Sequence, residues 1–300
     1  MAAIDCGTNS VRLLIADISP ESEISDVTRQ MRIVRLGEGV DQTGRLSPAA
    51  IERTRVALVD YAADIAGAGV DAARMVATSA SRDAGNAADF RAMVLDTLGF
   101  APEVITGDEE ARLSFNGAVR GLTAEAPFLV VDIGGGSTEF VVGEKDVEAA
   151  ISVDIGCVRM TERHLRADPP TPEQVAAAEE DIAAAVDRAL AAVDGTRART
   201  LVGLAGSVTT VAALALELPE YDPKRIHRAR VPAADIAKVT ADLLGRTAEQ
   251  RLRYPVMHPG RADVIGAGAL ILRIIVERAG MDAVIASESD ILDGIALSLA

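Results

Sequence analysis

Ile4-Asp5-Cys6-Gly7-Thr8-Asn9-Ser10-Val11-Arg12-Leu13-Leu14-Ile15 is followed later in the chain by Val131-Asp132-Ile133-Gly134-Gly135-Gly136-Ser137-Thr138-Glu139-Phe140-Val141-Val142. Shifting the chain by 127 positions lays Asp5 on Asp132, Gly7 on Gly134 and Ser10 on Ser137. The same shift lays the apolar run Leu13-Leu14-Ile15 on Phe140-Val141-Val142. Each copy reads as strand, Asp-x-Gly-x-x-Ser turn, strand. One such turn carries little weight. A matching pair with matching flanks is self-similarity, the mark of a duplicated unit.

The flanking segments extend the pattern. In the first half, strands are expected at Ala2–Asp5, Val11–Ile18 and Gln30–Leu36, followed by a glycine-rich loop at Gly37–Gly44. Ser47-Pro48 opens a helix to about Gly67, with Ser as N-cap and Pro at the first helical position. A strand at Arg74–Thr78, a helix at Ala87–Leu98, a strand at Glu103–Thr106 and a helix from Asp108 to about Val119 follow. The second half repeats this theme. Its expected strands are Phe128–Asp132, Glu139–Val142, Val147–Asp154 and Thr200–Leu204. Its expected helices are Cys157 to about Arg166, Pro172 to about Val193, Pro232–Leu244 and Arg261–Ala279. A last helix covers Asp290–Leu299. Three antiparallel strands and then βαβα is the order of a ribonuclease-H-like α/β domain. The expected division is 1–123 and 124–288, with Gly and Pro interrupting the pattern at Gly121–Pro127.

The 300 residues suffice for two domains, each with its own core. Aromatics are only 3% and Trp is absent, so the cores must be built from Ala, Val, Leu and Ile. A formal net charge of -15 argues against a nucleic-acid binder, which would be basic. Nearly all the positive charge is Arg, a residue suited to bidentate phosphate contacts. The longest apolar run, Val264 to Leu272, is too short to span a bilayer, and no membrane partner is expected. Two cysteines and no signal-peptide pattern point to a reducing, cytoplasmic setting. A homodimer is the expected assembly.

Gly in a tight turn allows positive φ and close backbone approach, so successive N–H groups can form an anion nest. Gly7 and Gly134, Gly135 and Gly136 supply the backbone. Thr8, Asn9, Ser10, Ser137 and Thr138 add side-chain donors, and Arg12 adds a positive charge beside the first turn. A carboxylate beside phosphate is repulsive unless a cation such as Mg²⁺ sits between them, since Mg²⁺ takes carboxylate, water and phosphate oxygens. The competing reading is an ordinary hairpin whose Asp and Ser satisfy turn N–H groups. A third glycine segment, Gly203 to Thr210, opens a helix after a strand. Gly206 and Ser207 there are either an anion site or a simple bend with an N-cap.

These motifs resemble the exopolyphosphatase/guanosine pentaphosphate phosphatase (Ppx/GppA) family. The resemblance runs through Ala77-Thr78-Ser79-Ala80-Ser81-Arg82-Asp83-Ala84, Gly107-Asp108-Glu109-Glu110-Ala111-Arg112, Gly203-Leu204-Ala205-Gly206-Ser207 and Pro259-Gly260-Arg261-Ala262-Asp263-Val264-Ile265. It implies two ribonuclease-H-like (actin-like ATPase) domains with an active-site cleft between them, and a C-terminal helix at 289–300 packing back on the first domain. It implies Mg²⁺-assisted hydrolysis of the terminal phosphoanhydride of inorganic polyphosphate or of guanosine pentaphosphate, with Mn²⁺ a possible substitute. Longer members carry an added HD-type helical region that does not follow here, and a preference for short chains is the matching expectation.

The resemblance places the family's catalytic Glu at Glu110, to orient or deprotonate water. It makes Arg82, expected in a loop after a strand, a phosphate ligand. Asp132, Glu139 and Asp5 are the candidate metal contacts. The competing readings are a first-turn acidic cluster favouring a helix dipole for Glu110, and a surface pair with Asp83 for Arg82. The basic run Lys224–Arg230 is a guide for distal phosphates or a solvated face. Two other functions share the fold: a small-molecule kinase, which would need an adenosine pocket, and a non-catalytic scaffold.

Overall fold

The computed structural model describes residues 1–19 and 23–300. They form two compact units, one of Met1–Gly117 with Ile291–Ala300 and one of Ala118–Asp290.

The first unit is built on strands β1 (Ala2–Cys6), β2 (Ser10–Ile18), β3 (Ile24–Ile33), β4 (Ala73–Ala77) and β5 (Glu103–Val104), in the order β3-β2-β1-β4-β5. β1 runs antiparallel to β2 and parallel to β4. Side chains of a strand alternate between faces, and this sheet is covered on both. Ala2, Ile4, Cys6, Val11, Leu13 and Met75 pack in one cluster with Leu58, Tyr61 and Phe90 of the helices Pro48–Ala68 and Ala87–Leu98. Ala3, Leu14, Ala16 and Val76 pack on the other face with Leu113, Ile291 and Ile295. Those three come from the helices Gly107–Val119 and Ile291–Leu297. Asp5 has the parity of Ala3, and so belongs to the face covered by Gly107–Val119.

The second unit contains β6 (Phe128–Ile133), β7 (Thr138–Gly143), β8 (Val147–Val153), β9 (Thr200–Leu204), β10 (Arg230–Pro232) and β11 (Ala283–Ala286), in the order β10-β11-β9-β6-β7-β8. From β8 inward this is the first unit's order, extended by one antiparallel edge strand. The helix Ile265–Arg278 is buried almost all round, packed among Pro172–Val193, Cys157–Arg163, Ala205–Ala215 and Ala233–Leu244. The apolar run in its first half is therefore the central pillar of a core. No helix among the described residues is long and apolar enough to cross a membrane.

The duplication extends to strand register. Asp5 lies opposite Arg12 and Cys6 opposite Val11 in the first unit. Asp132 lies opposite Glu139 and Ile133 opposite Thr138 in the second. Both turns close identically, with Gly7 N–H donating to Ser10 O and Gly134 N–H to Ser137 O, each at 3.0 Å.

Several boundaries differ from the sequence expectation. The third strand ends at Ile33 rather than Leu36, because the N–H groups of Val34, Arg35 and Gly37 turn to bond the carbonyls of Asn9 and Thr8. Arg82 is not in a loop but in a short helix, Ser79–Asp83. The helix expected from Arg261 begins at Ile265, after a separate 3₁₀ turn at Pro259–Arg261 capped by the His258 ring. The expected Ser47 cap is present, accepting from Ala50 N–H, and Thr171 and Gln174 form a capping box at the start of Pro172–Val193.

The C-terminal helix docks on the first unit through a glycine and an ion pair. A Cβ at Gly294 would overlap the Leu113 carbonyl, lying 2.7 Å from its carbon. Buried Asp293 accepts two hydrogen bonds from the Arg29 guanidinium. Gly294→Ala is expected to lower stability by about 2 kcal/mol or more, since backbone cannot yield as a flexible side chain would. Denaturant unfolding measures this, and an unchanged midpoint would contradict the packing role.

Candidate active site

The two glycine turns share one device. A peptide unit is planar and trans, so its C=O and N–H point in opposite directions. In the first turn, Thr8 O accepts from Gly37 N–H (2.9 Å), and Asn9 O accepts from Val34 and Arg35 N–H (3.0 and 2.9 Å). The N–H groups of Asn9 and Ser10 are thereby aimed away from the segment 34–37. In the second turn, Gly134 O accepts from Cys157 N–H (2.9 Å), and Gly135 O accepts from Val158 and Arg159 N–H (2.9 and 3.1 Å). Gly136 O accepts from Arg159 Nε (2.7 Å). The N–H groups of Gly135, Gly136 and Ser137 therefore all face away from the helix Cys157–Arg163.

This changes the expected basis of the turns. Gly7, Gly134, Gly135 and Gly136 are not among the residues with positive φ. The N–H groups are aligned by tethering carbonyls from behind, not by left-handed backbone. Nor do the second turn's hydroxyls face outward. Ser137 Oγ donates to Glu139 Oε1 (2.8 Å), and Thr138 Oγ1 donates to Ile155 O (2.6 Å). Ser207, expected at the third site, is buried. In the first turn, Thr8 Oγ1 and Ser79 Oγ are 2.9 Å apart. Two buried side-chain oxygens nearby, Asn9 Oδ1 and Ser81 Oγ, have no hydrogen-bond partner among the described residues, a costly condition in a folded protein.

The equivalent positions Arg12 and Glu139 give the two turns opposite electrostatics. Arg12 donates Nε and Nη2 to Asp5 Oδ2 at 3.0 and 2.7 Å. Asp5 and Arg12, expected as metal and phosphate ligands, are thus an ion pair with each other in this structure. In the second turn, Asp132 faces a second carboxylate. Asp132 is 8% exposed and Glu139 1% exposed. Glu139 Oε1 is fixed by the hydroxyls of Ser137 and Ser152. Directly opposite residues have Cβ atoms about 4.5–5.5 Å apart, where like charges destabilise a ladder. Among the described residues no group of three or more His, Cys, Asp or Glu forms a metal cage. Mg²⁺ does not need one, since it keeps several waters and takes one or two carboxylates with phosphate oxygens. Asp132 and Glu139 fit that mode.

The three acidic residues opening Gly107–Val119 separate clearly. Exposed Asp108 pairs with Arg112, and Glu109 with Arg74. Glu110 is only 8% exposed, and its Oε2 accepts from Arg82 Nη1 at 3.1 Å. Arg82 Nη1 also donates to Ile105 O at 3.0 Å, locking the guanidinium. Among the described residues its Nε and Nη2 donors make no hydrogen bond, which leaves one edge of the fork for an anion.

At the third glycine segment, Ala205 has φ 66, an uncommon value for a residue with a Cβ. The Arg261 guanidinium lies directly over Gly206, and its Nη1 donates to Thr210 Oγ1 (2.8 Å). A cation is thus set at the start of the helix Ala205–Ala215, where the dipole favours anions. Arg261, Arg159 and Ser152 were not singled out as site residues from sequence. Ser152 had a usable signal, since register puts it opposite Glu139. The basic run is structural in part: Ile226 is buried, and Arg228 N–H donates to Ala286 O. Burial pushes both the Cys6 and Cys157 thiols up, which suits packing rather than nucleophilic chemistry.

Residues 14–300 match the Ppx/GppA phosphatase family. The chain is 55% identical to Exopolyphosphatase 2 of Mycobacterium tuberculosis, covering 100% of this chain and 98% of that protein. It is 33% identical to a bifunctional 3-dehydroquinate synthase/phosphatase of Fusobacterium nucleatum, covering 98% of this chain but 45% of that one. Among solved structures, an exopolyphosphatase-like protein superposes with a TM-score of 0.97 at 42% identity, over 100% of this chain and 97% of the other. The Aquifex aeolicus PPX-GPPA enzyme superposes with a TM-score of 0.83 at 35% identity, over 99% and 98%. The duplicated turns and the full-length match lead to one conclusion: the chain belongs to the Ppx/GppA phosphatase family.

Proposed function

We propose that the chain is an exopolyphosphatase that hydrolyses the terminal phosphoanhydride of inorganic polyphosphate. The observation that carries this reading is the pairing of half-buried Arg82 with buried Glu110, which a kinase or a scaffold would not need. Phosphoryl transfer to water requires a positioned nucleophile and stabilisation of charge on the phosphoryl oxygens, with little further chemistry. Glu110 accepts the proton of the attacking water. The water oxygen bonds the terminal phosphorus, and the bond from that phosphorus to its bridging oxygen breaks. Orthophosphate and a chain one phosphate shorter result. In the first unit the free edge of Arg82 and the aligned N–H groups of Asn9 and Ser10 are donors for non-bridging phosphate oxygens, and in the second unit the aligned N–H groups of Gly135, Gly136 and Ser137 are donors of the same kind. Arg261 over Gly206 holds a further phosphate. Mg²⁺ or Mn²⁺ carried by Asp132 and Glu139 would neutralise charge on the phosphoryl oxygens. Asp5 and Arg12, ion-paired with each other, flank the first turn.

The test compares phosphate release from polyphosphates of several lengths, guanosine pentaphosphate and ATP. Polyphosphate is the expected best substrate by kcat/KM. Guanosine pentaphosphate as best substrate would replace the substrate but keep the chemistry. ATP-dependent phosphorylation of an acceptor without polyphosphate hydrolysis would overturn it. Chelation of divalent ions is expected to lower phosphate release at least about a hundredfold, with recovery on adding Mg²⁺. Asp132→Asn should also weaken Mg²⁺ binding measured by calorimetry without substrate, and unchanged Mg²⁺ binding would remove Asp132 from the metal site.

A further inference from the structure

Three consecutive carbonyls, those of Gly134, Gly135 and Gly136, are tethered in the second turn, but not by the same means. The first two are held by the backbone N–H groups of Cys157, Val158 and Arg159, which any residue but proline would supply. The third is held by a side chain, Arg159 Nε at 2.7 Å. In the first unit, the equivalent carbonyl, Asn9 O, is held by two backbone N–H groups. The second turn therefore depends on one side chain where the first depends on none.

We infer that Arg159 is a positioning residue for the reaction, acting through the Gly136–Ser137 peptide. This rests on the reading that the second turn's N–H groups hold phosphate. Because the peptide is planar, fixing Gly136 O fixes the direction of Ser137 N–H. A cationic donor on the carbonyl also polarises the peptide and strengthens its N–H as a donor. Arg159 is half-buried, and its Nε is engaged behind the turn, so its effect passes through the backbone. Gly135 and Gly136 N–H keep their direction without it, because Gly134 O and Gly135 O have backbone tethers.

The experiment follows the backbone amide resonances of the full chain during titration with inorganic phosphate, alongside steady-state kinetics on polyphosphate. In the unsubstituted chain, the amides of Gly135, Gly136 and Ser137 should all shift. In Arg159→Met, the Ser137 response should be lost while those of Gly135 and Gly136 remain. KM should rise between about ten- and a hundredfold with kcat within about threefold, the pattern of lost uniform binding. Arg159→Lys, which keeps a cationic donor of similar reach, should restore the Ser137 response and most of the KM. If Arg159→Met folds poorly, Arg159→Leu serves, since its side chain carries no hydrogen-bond donor. A normal Ser137 response in Arg159→Met or Arg159→Leu would overturn the inference. So would equal loss of all three responses with no rescue by Lys, which would mark a general structural role. If no turn amide responds in the unsubstituted chain, the phosphate-turn reading itself fails, a result separate from either.

Discussion

Glu110→Gln is expected to lower kcat for polyphosphate hydrolysis by about a thousandfold or more, with KM changed less than about threefold. A general base contributes typically 10²–10⁴ to rate. Gln keeps the shape of Glu and retains an oxygen that can accept from Arg82 Nη1, so the 3.1 Å contact can survive. It cannot take a proton from water. A loss confined to kcat identifies an interaction made in the transition state rather than in substrate binding. Stability should change modestly, because Arg82 keeps its bond to Ile105 O and is partly solvated. Glu109→Gln and Asp108→Asn are the matched controls. Both groups are in exposed or half-exposed pairs with Arg74 and Arg112, and both variants should retain turnover within about twofold. Arg82→Met should lower kcat/KM as well, and the double variant should be far from additive, since the two side chains act as a unit. Turnover by Glu110→Gln at the unsubstituted rate would sink the assignment of the base.

That Glu110 differs from its neighbours is a fact of burial, which the run Asp108-Glu109-Glu110 does not display. All three residues are equally good first-turn carboxylates. What separates them is helix rotation against the sheet face carrying Ala3, Leu14 and Val76, on which Leu113 of the same helix packs. The duplication was legible because Asp, Gly and Ser recur with the same flanks. It extends to the register that puts Arg12 and Glu139 at equivalent positions. The electrostatic consequence, one turn ion-paired and the other doubly acidic, follows from that register together with the 2.7 Å Arg12–Asp5 contact.

The elements that tether the turns were not legible, for a physical reason. Val34, Arg35, Gly37, Cys157 and Val158 act through backbone N–H groups, which every residue except proline possesses. The two tethering segments accordingly share no sequence pattern. The helix carrying Arg82 is five residues long, too short for any apolar period, and its Ser residues read as turn formers. Strands β10 and β11 have three and four residues. Pro232 at the end of β10 is tolerated because that strand is an edge. Arg261 was hidden because the apolar pattern after it reads as one continuous helix. The interruption comes from His258 Nδ1 accepting from Gly260 N–H, a bond between residues two apart.

Gly156→Ala is expected to lower kcat/KM for polyphosphate by about a hundredfold or more while the unit remains folded. A Cβ at residue 156 would overlap the carbonyl carbon and oxygen of Gly135 and lie 2.6 Å from Gly136 N. Gly156 has φ -150 and ψ 161, extended backbone that alanine adopts readily, so the effect comes from contact alone. The atoms in the way are main chain, and the turn must move for alanine to fit. Overpacking of this kind costs typically 1–3 kcal/mol, which a domain with this core can absorb. A displacement near 1 Å of groups aligned on a reacting phosphate can cost about 10² in rate. Gly67→Ala, in the helix Pro48–Ala68 with open space around it, is the control and should leave activity unchanged. Gly156→Ala moves the turn at Gly135 and Gly136, whereas Arg159→Met releases only the last carbonyl. Its loss should therefore be the larger, and all three turn amides should change their response to phosphate. Activity in Gly156→Ala equal to that of the Gly67→Ala control would mean that the turn's alignment does not limit the reaction.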